Sequence, residues 1–158
     1  YWWSSLAKLR RALPPSMQAI QNDSLIFEDF AVAGSRGWLC PGAAGFTPAD
    51  QRIYQRELVR LELSLKSAGD VRPLIAMLHY PPFNERREES CFEQLLLEHG
   101  VSIVVYGHLH GRACKNAFEG ERSGIRYHLC SADHLGFAPK QITVESHPTR
   151  ENNRKELA

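Results

Sequence analysis

Aspartate is scarce in this sequence. Its 158 residues include five, Asp23, Asp29, Asp50, Asp70 and Asp133, against seven histidines, His79, His99, His108, His110, His128, His134 and His147. Charge of one sign is also missing, since 19 Lys and Arg face 18 Asp and Glu, a net charge of +1. A balance that close argues against nucleic-acid binding through overall charge, which needs a basic face that displaces counterions. With 43% apolar and 23% charged residues, the composition indicates neither disorder nor a polyelectrolyte tail. No stretch approaches the ~18 apolar residues of a membrane span. The four cysteines, Cys40, Cys91, Cys114 and Cys130, form no Cys-x-x-Cys pair, so a reducing compartment, the cytoplasm, is expected over a disulfide framework. No secretory pattern opens the chain, because Trp2, Trp3, Leu6 and Leu9 interleave with Lys8, Arg10 and Arg11. The first residue is Tyr1, and a piece of a longer reading frame is expected.

What is present reads as a single α/β domain, a length able to bury a core. Trp2, Leu6, Leu9 and Leu13 are spaced as on a helix over residues 2–12, which Pro14-Pro15 stops. That segment suits a surface helix packed on a core better than an interfacial membrane helix. Residues 24–27 and 30–34 suggest a hairpin. A long helix is expected from Thr47, an N-cap followed by Pro48, with Tyr54, Leu58, Leu61 and Leu65 forming one apolar stripe that lies on a sheet. Pro73 to Leu78 and Val101 to Tyr106 are apolar runs of the kind buried in parallel sheets covered by helices. Between them, Ser90-x-x-Glu93 is a capping box for a helix that Gly100 ends. Beyond Ala113 the pattern suggests short antiparallel strands, clearest at 125–130 and 141–144, then a polar tail over 147–158.

Histidine follows both apolar runs. His79 comes directly after the first, and His108 and His110 follow the second across Gly107. Ligands in open α/β sheets bind at the carboxyl ends of strands, and neighbouring strands lie ~5 Å apart, so the three imidazoles can converge. In an extended backbone His108 and His110 would point the same way ~6–7 Å apart, a spacing that suits two ions ~3.5–4 Å from each other. A dinuclear metal hydrolase is the chemistry this pattern points to, with a mononuclear zinc site on the three histidines as the rival.

The segments Leu78-His79-Tyr80-Pro81-Pro82 and Gly107-His108-Leu109-His110-Gly111 resemble the last two signature blocks of the calcineurin-like metallophosphoesterases, in a bacterial-type branch. The similarity extends over nearly the whole chain, through YWWSSLAKLR, GSRGWLCPG, DQRIYQRELVRLELSL and NAFEGERSGIRYHLCSADHLGF. It implies an α/β fold in which a two-sheet β-sandwich is flanked by helices. It also implies two divalent metal ions (Mn, Fe, Zn or Mg) and hydrolysis of a phosphate ester, either a small molecule or a phosphodiester. His79 and His108 would share one ion and His110 would serve the other. The family's earlier blocks, Asp-x-His, a Gly-Asp with a bridging carboxylate, and Gly-Asn-His-Asp, are not found, and Tyr1 resembles the residue that follows the last of them. Residues 1–146 are therefore expected to be the C-terminal part of the phosphoesterase domain, with its N-terminal part missing.

Three neutral imidazoles do not offset two dications, and hard ions want carboxylate oxygens. By itself the chain is expected to bind metal weakly and to be inactive, so a noncatalytic fragment or binding module on the same scaffold is the alternative. Arg36, Asn84 and Arg86 are lesser candidates for a phosphate contact. Glu85 to Glu89 read as a solvated loop and His99 as a helix-end cation. Asp133-His134 reads as structural more readily than as an acid–base pair, and a zinc site from Cys114, His128 and Cys130 lacks paired spacing. No catalytic acid or base, substrate-binding residue or oligomeric state follows from the sequence.

Overall fold

The computed structural model describes residues 5–144, so Trp2, Trp3 and the expected tail lie outside the described residues. The first helix, α1, spans Leu6–Ala12 and stops ahead of Pro14 as expected. None of its residues is buried, which corrects the expectation of a stripe packed on the core. Polar contacts hold it instead, with Arg10 donating to the Ala19 carbonyl and pairing with Asp23.

One six-stranded sheet follows. Its strands are β1 (Leu25–Ile26), β2 (Ala31–Ser35), β3 (Leu74–Leu78), β4 (Val101–Tyr106), β5 (Gly120–Arg122) and β6 (Ile125–Leu129), in the spatial order β1-β2-β3-β4-β6-β5. The inner four run parallel, while β1 and β5 are antiparallel edges. The hairpin near residue 30 is present, and its second strand is also the first parallel strand. The C-terminal expectation is corrected: β6 joins the parallel set beside β4, residues 141–144 form no strand, and a 3-10 helix occupies Gly111–Asn116. Ile142 and Val144 still pack against the sheet, which accounts for their apolar spacing without strand pairing.

The helix α2 spans Pro48–Ser67. Thr47 and Asp50 close a capping box at its start, and the expected stripe Tyr54, Leu58, Leu61 and Leu65 is buried on the sheet. The helix α3 spans Cys91–Glu98 and uses half of the expected box. Ser90 Oγ accepts from the Glu93 amide, while the Glu93 carboxylate turns to Arg122 at 2.8 Å. Glu93 is buried, and a buried carboxylate needs a cation more than a helix cap needs a second hydrogen bond.

Both helices lie on one face of the sheet, over Ala33, Ala76, Leu78, Val104 and Tyr106. On the other face, Val32, Ile75 and Ile103 pack with Leu25 and Val105 of the sheet itself and with Ile20, Phe30, Ile142 and Val144. Helices therefore cover one side of the parallel strands among the described residues, where the apolar runs suggested both. A register shift opposite Leu74 and Ile75 places Val101 and Val104 on the helix side and Ile103 on the other. Such a bulge re-aims the side chains that follow it. It sets the phase in which β4 reaches Gly107 and the histidine segment.

Candidate metal centre

The three histidines stand at the carboxyl ends of β3 and β4. Backbone hydrogen bonds tie the loops there together. The amides of His79 and Tyr80 both donate to the Arg36 carbonyl beyond β2, at 3.1 and 2.9 Å, and the Gly107 amide donates to the His79 carbonyl at 3.2 Å. Three successive strand ends are thus joined before any side chain is considered.

His108 Nδ1 lies 3.2 Å from His79 Nε2. The rings meet nearly edge to face, with centroids 5.1 Å apart. Two nitrogens each ~2.0–2.1 Å from one ion, at cis-octahedral or tetrahedral angles, would stand about 2.8–3.4 Å apart. The observed separation falls in that interval. Tyr80 lies against His108 with ring centroids 3.9 Å apart, Trp38 lies 5.0 Å from Tyr80, and the Arg36 guanidinium sits 4.4 Å over the Trp38 ring. Partial desolvation is the main reason both imidazoles hold a proton less readily than usual. For His79 the charges of Arg36 and His110 act in the same direction, and for His108 those of His79 and His110 do. The neutral, metal-binding form is favoured in each.

The path from His108 to His110 corrects an expectation. The segment is not an extended strand, because β4 ends at Tyr106 and His108 takes a left-handed φ of +70°. That conformation is uncommon for a residue with a side chain and tends to occur at functional sites. It brings His108 onto His79. His110 turns elsewhere, with Nδ1 2.8 Å from Oδ1 of Asp133, whose Oδ2 accepts from the Gly111 amide at 2.7 Å. The Gly111 amide, then His110, lower the Asp133 pKa to about 2.

A two-and-one division of the imidazoles fits a pair of ions in kind but incompletely in number. Among the described residues no group of three or more His, Cys, Asp or Glu is placed to hold an ion, which also removes the zinc site of Cys114, His128 and Cys130. The other carboxylates serve the fold: Asp23 pairs with Arg10, and Asp50 caps α2 and accepts from Trp38 Nε1. Asp70, in the only Gly-Asp dipeptide of the chain, lies in the turn from α2 to β3, before the strand whose far end bears His79.

The lesser candidates separate. Asn84 is buried and structural, donating to the Pro41 carbonyl and accepting from the amides of Arg86 and Glu88. Arg86 pairs with Glu88 within the loop. Arg36 Nη2 reaches Glu57 at 3.3 Å, a buried carboxylate that Arg56 and Arg60 also approach. His99 is the C-cap residue of α3. Asp133 and His134 do not pair with each other, since His134 goes to Glu119 at 2.9 Å. Sequence reasoning missed the tie from Asp133 to His110. The available signal was that Asp133 follows a further strand of alternating buried side chains; the parallel sense of β6 makes it meaningful.

With this geometry in view, the model of the calcineurin-like phosphoesterase family matches residues 5–112. The chain belongs to the calcineurin-like phosphoesterase family. No curated protein and no solved structure matches it. The region shared with calcineurin-like phosphoesterases begins just before α1 and ends just past the second histidine block, taking in both strand ends that carry His79, His108 and His110.

Proposed function

We propose that the chain supplies three imidazole ligands of a two-metal phosphoester hydrolase, with His79 and His108 on one divalent ion and His110 on the other. The observation that carries this reading is the 3.2 Å approach of His79 Nε2 to His108 Nδ1 across two parallel strand ends. Family membership supports the reaction class, and the two-and-one grouping of the rings supports the division of ligands. Divalent ions, of Mn, Fe, Zn or Mg, would supply a nucleophilic oxygen at neutral pH and offset phosphoryl charge there.

The chain's own residues contribute placement. Arg36, Tyr80 and Gly107 lock the loops through their backbones, partial desolvation and nearby positive charge disfavour protonation of His79 and His108, and the Tyr80 ring restricts rotation of His108. The carboxylates that hard ions require, in the family's earlier signature blocks, lie outside this sequence, so the 158 residues correspond to part of the domain. The substrate is a phosphate monoester or diester, and the compartment is the cytoplasm.

Hydrolysis of a chromogenic phosphate ester by the intact protein, with added Mn²⁺, tests the assignment. Alanine at His79, His108 or His110 should lower turnover by ~100-fold or more. Wild-type turnover in all three variants overturns it. Failure of the unaltered protein either to retain metal after dialysis or to hydrolyse the ester favours a noncatalytic role.

A further inference from the structure

Asp133 lies beyond the segment that matches the family, and nothing in the two-metal reading calls on it. Its carboxylate nevertheless makes two contacts at the candidate centre: Oδ1 to His110 Nδ1 at 2.8 Å and Oδ2 to the Gly111 amide at 2.7 Å. One contact fixes a ring and the other fixes the backbone that carries it. Gly111 has a φ of +56°, a left-handed conformation that a side chain would strain. The support behind the carboxylate is firm. β6 pairs with β4, the Cys130 amide donates to the Tyr106 carbonyl at 2.7 Å, and the turn after β6 is closed by Leu135 to Ser131, Phe137 to Ala132 and Gly136 to Asp133.

We propose that Asp133 is a positioning residue that holds His110 in the Nδ1–H tautomer and leaves Nε2 as the metal-binding nitrogen. The inference rests on the reading of His110 as a ligand. An ionised carboxylate only accepts hydrogen bonds, so at this contact the imidazole must be the donor. A neutral imidazole that donates through Nδ1 has one lone pair left, on Nε2. A carboxylate behind a ligating histidine both orients the ring and makes its free nitrogen more basic. His79 and His108 carry no such support, since the polar contact each ring makes among the described residues is with the other. Asp133 thus distinguishes the two halves of the centre: the His110 position has a carboxylate behind it, and the His79–His108 position has none.

The tautomer can be read without turnover. In the intact, metal-free protein at a pH that keeps imidazole neutral, the ¹⁵N resonances of His110 should show the proton on Nδ1. In Asp133→Asn the side-chain amide can donate to Nδ1, so the proton should move to Nε2 in a large share of molecules. Mn²⁺ titration followed by electron paramagnetic resonance should then show one of two ions bound ~10–100-fold more weakly, with the other unchanged. Asp133→Glu keeps an acceptor and should retain the wild-type tautomer with a smaller loss of affinity; it also serves if the asparagine variant does not fold.

An unchanged tautomer and Mn²⁺ affinity within twofold of wild type in Asp133→Asn would overturn the proposal. His110→Ala separates the two claims. Loss of one ion there, with no effect of Asp133→Asn, defeats only the positioning role; retention of both ions in His110→Ala defeats the ligand assignment itself.

Discussion

An imidazole partly shielded from water by a neighbouring ring, with other positive charge nearby, resists protonation, and His79 and His108 are both so placed. In the metal-free protein each should titrate below the ordinary histidine value near 6.5, as read from ring-proton shifts against pH. The sign for stability follows from linkage. Above the ordinary value neither state binds the proton and there is no penalty. As pH falls from there to the depressed folded value, the unfolded chain binds protons that the folded chain refuses, and stability declines. Ordinary or raised values for both rings would mean that they do not stand against each other. Asp133 acts in the same direction at more acid pH: its contribution is present above the ordinary carboxylate range and is lost as pH falls through about 2.

At the scale of the element, sequence patterns decide the structure where they act locally and yield where a side chain has a distant alternative. The α2 stripe and cap stand as expected, because both depend on neighbours three or four residues away. Leu61 is fully buried in that stripe. Leu61→Ala should cost ~2–5 kcal/mol in urea denaturation, and a loss below ~1 kcal/mol would mean that α2 is not seated on the sheet. The α3 cap is half formed, since Glu93 finds Arg122 on β5, a partner that no local spacing reveals. Ser90 also donates to the Pro82 carbonyl, so it joins α3 to the loop that follows the His79 segment. Ser90→Ala should destabilise by ~0.5–2 kcal/mol, with faster amide exchange at Glu93 as the local sign. Left-handed His108 is a similar limit, because its spacing in GHLHG suits an extended strand equally well.

Across the whole molecule, the donors available decide what the chain can hold. Imidazole nitrogens suit Zn²⁺ or Ni²⁺ better than Mg²⁺, whereas carboxylate oxygens shift the preference toward harder ions. The 158-residue chain should therefore gain more thermal stability from Zn²⁺ than from an equal concentration of Mg²⁺, by differential scanning fluorimetry. A larger rise with Mg²⁺ would point to carboxylate ligands that this reading does not include. The sequence by itself determined the strand–helix–strand unit, the main caps and the standing of three histidines at strand ends, since apolar period and capping chemistry are local. Only the tertiary structure decided that β6 runs parallel beside β4, that His108 folds back onto His79, and that Asp133 reaches His110. Those outcomes depend on hydrogen bonds between strands distant in sequence and on a left-handed backbone at one residue. No period along the chain encodes either.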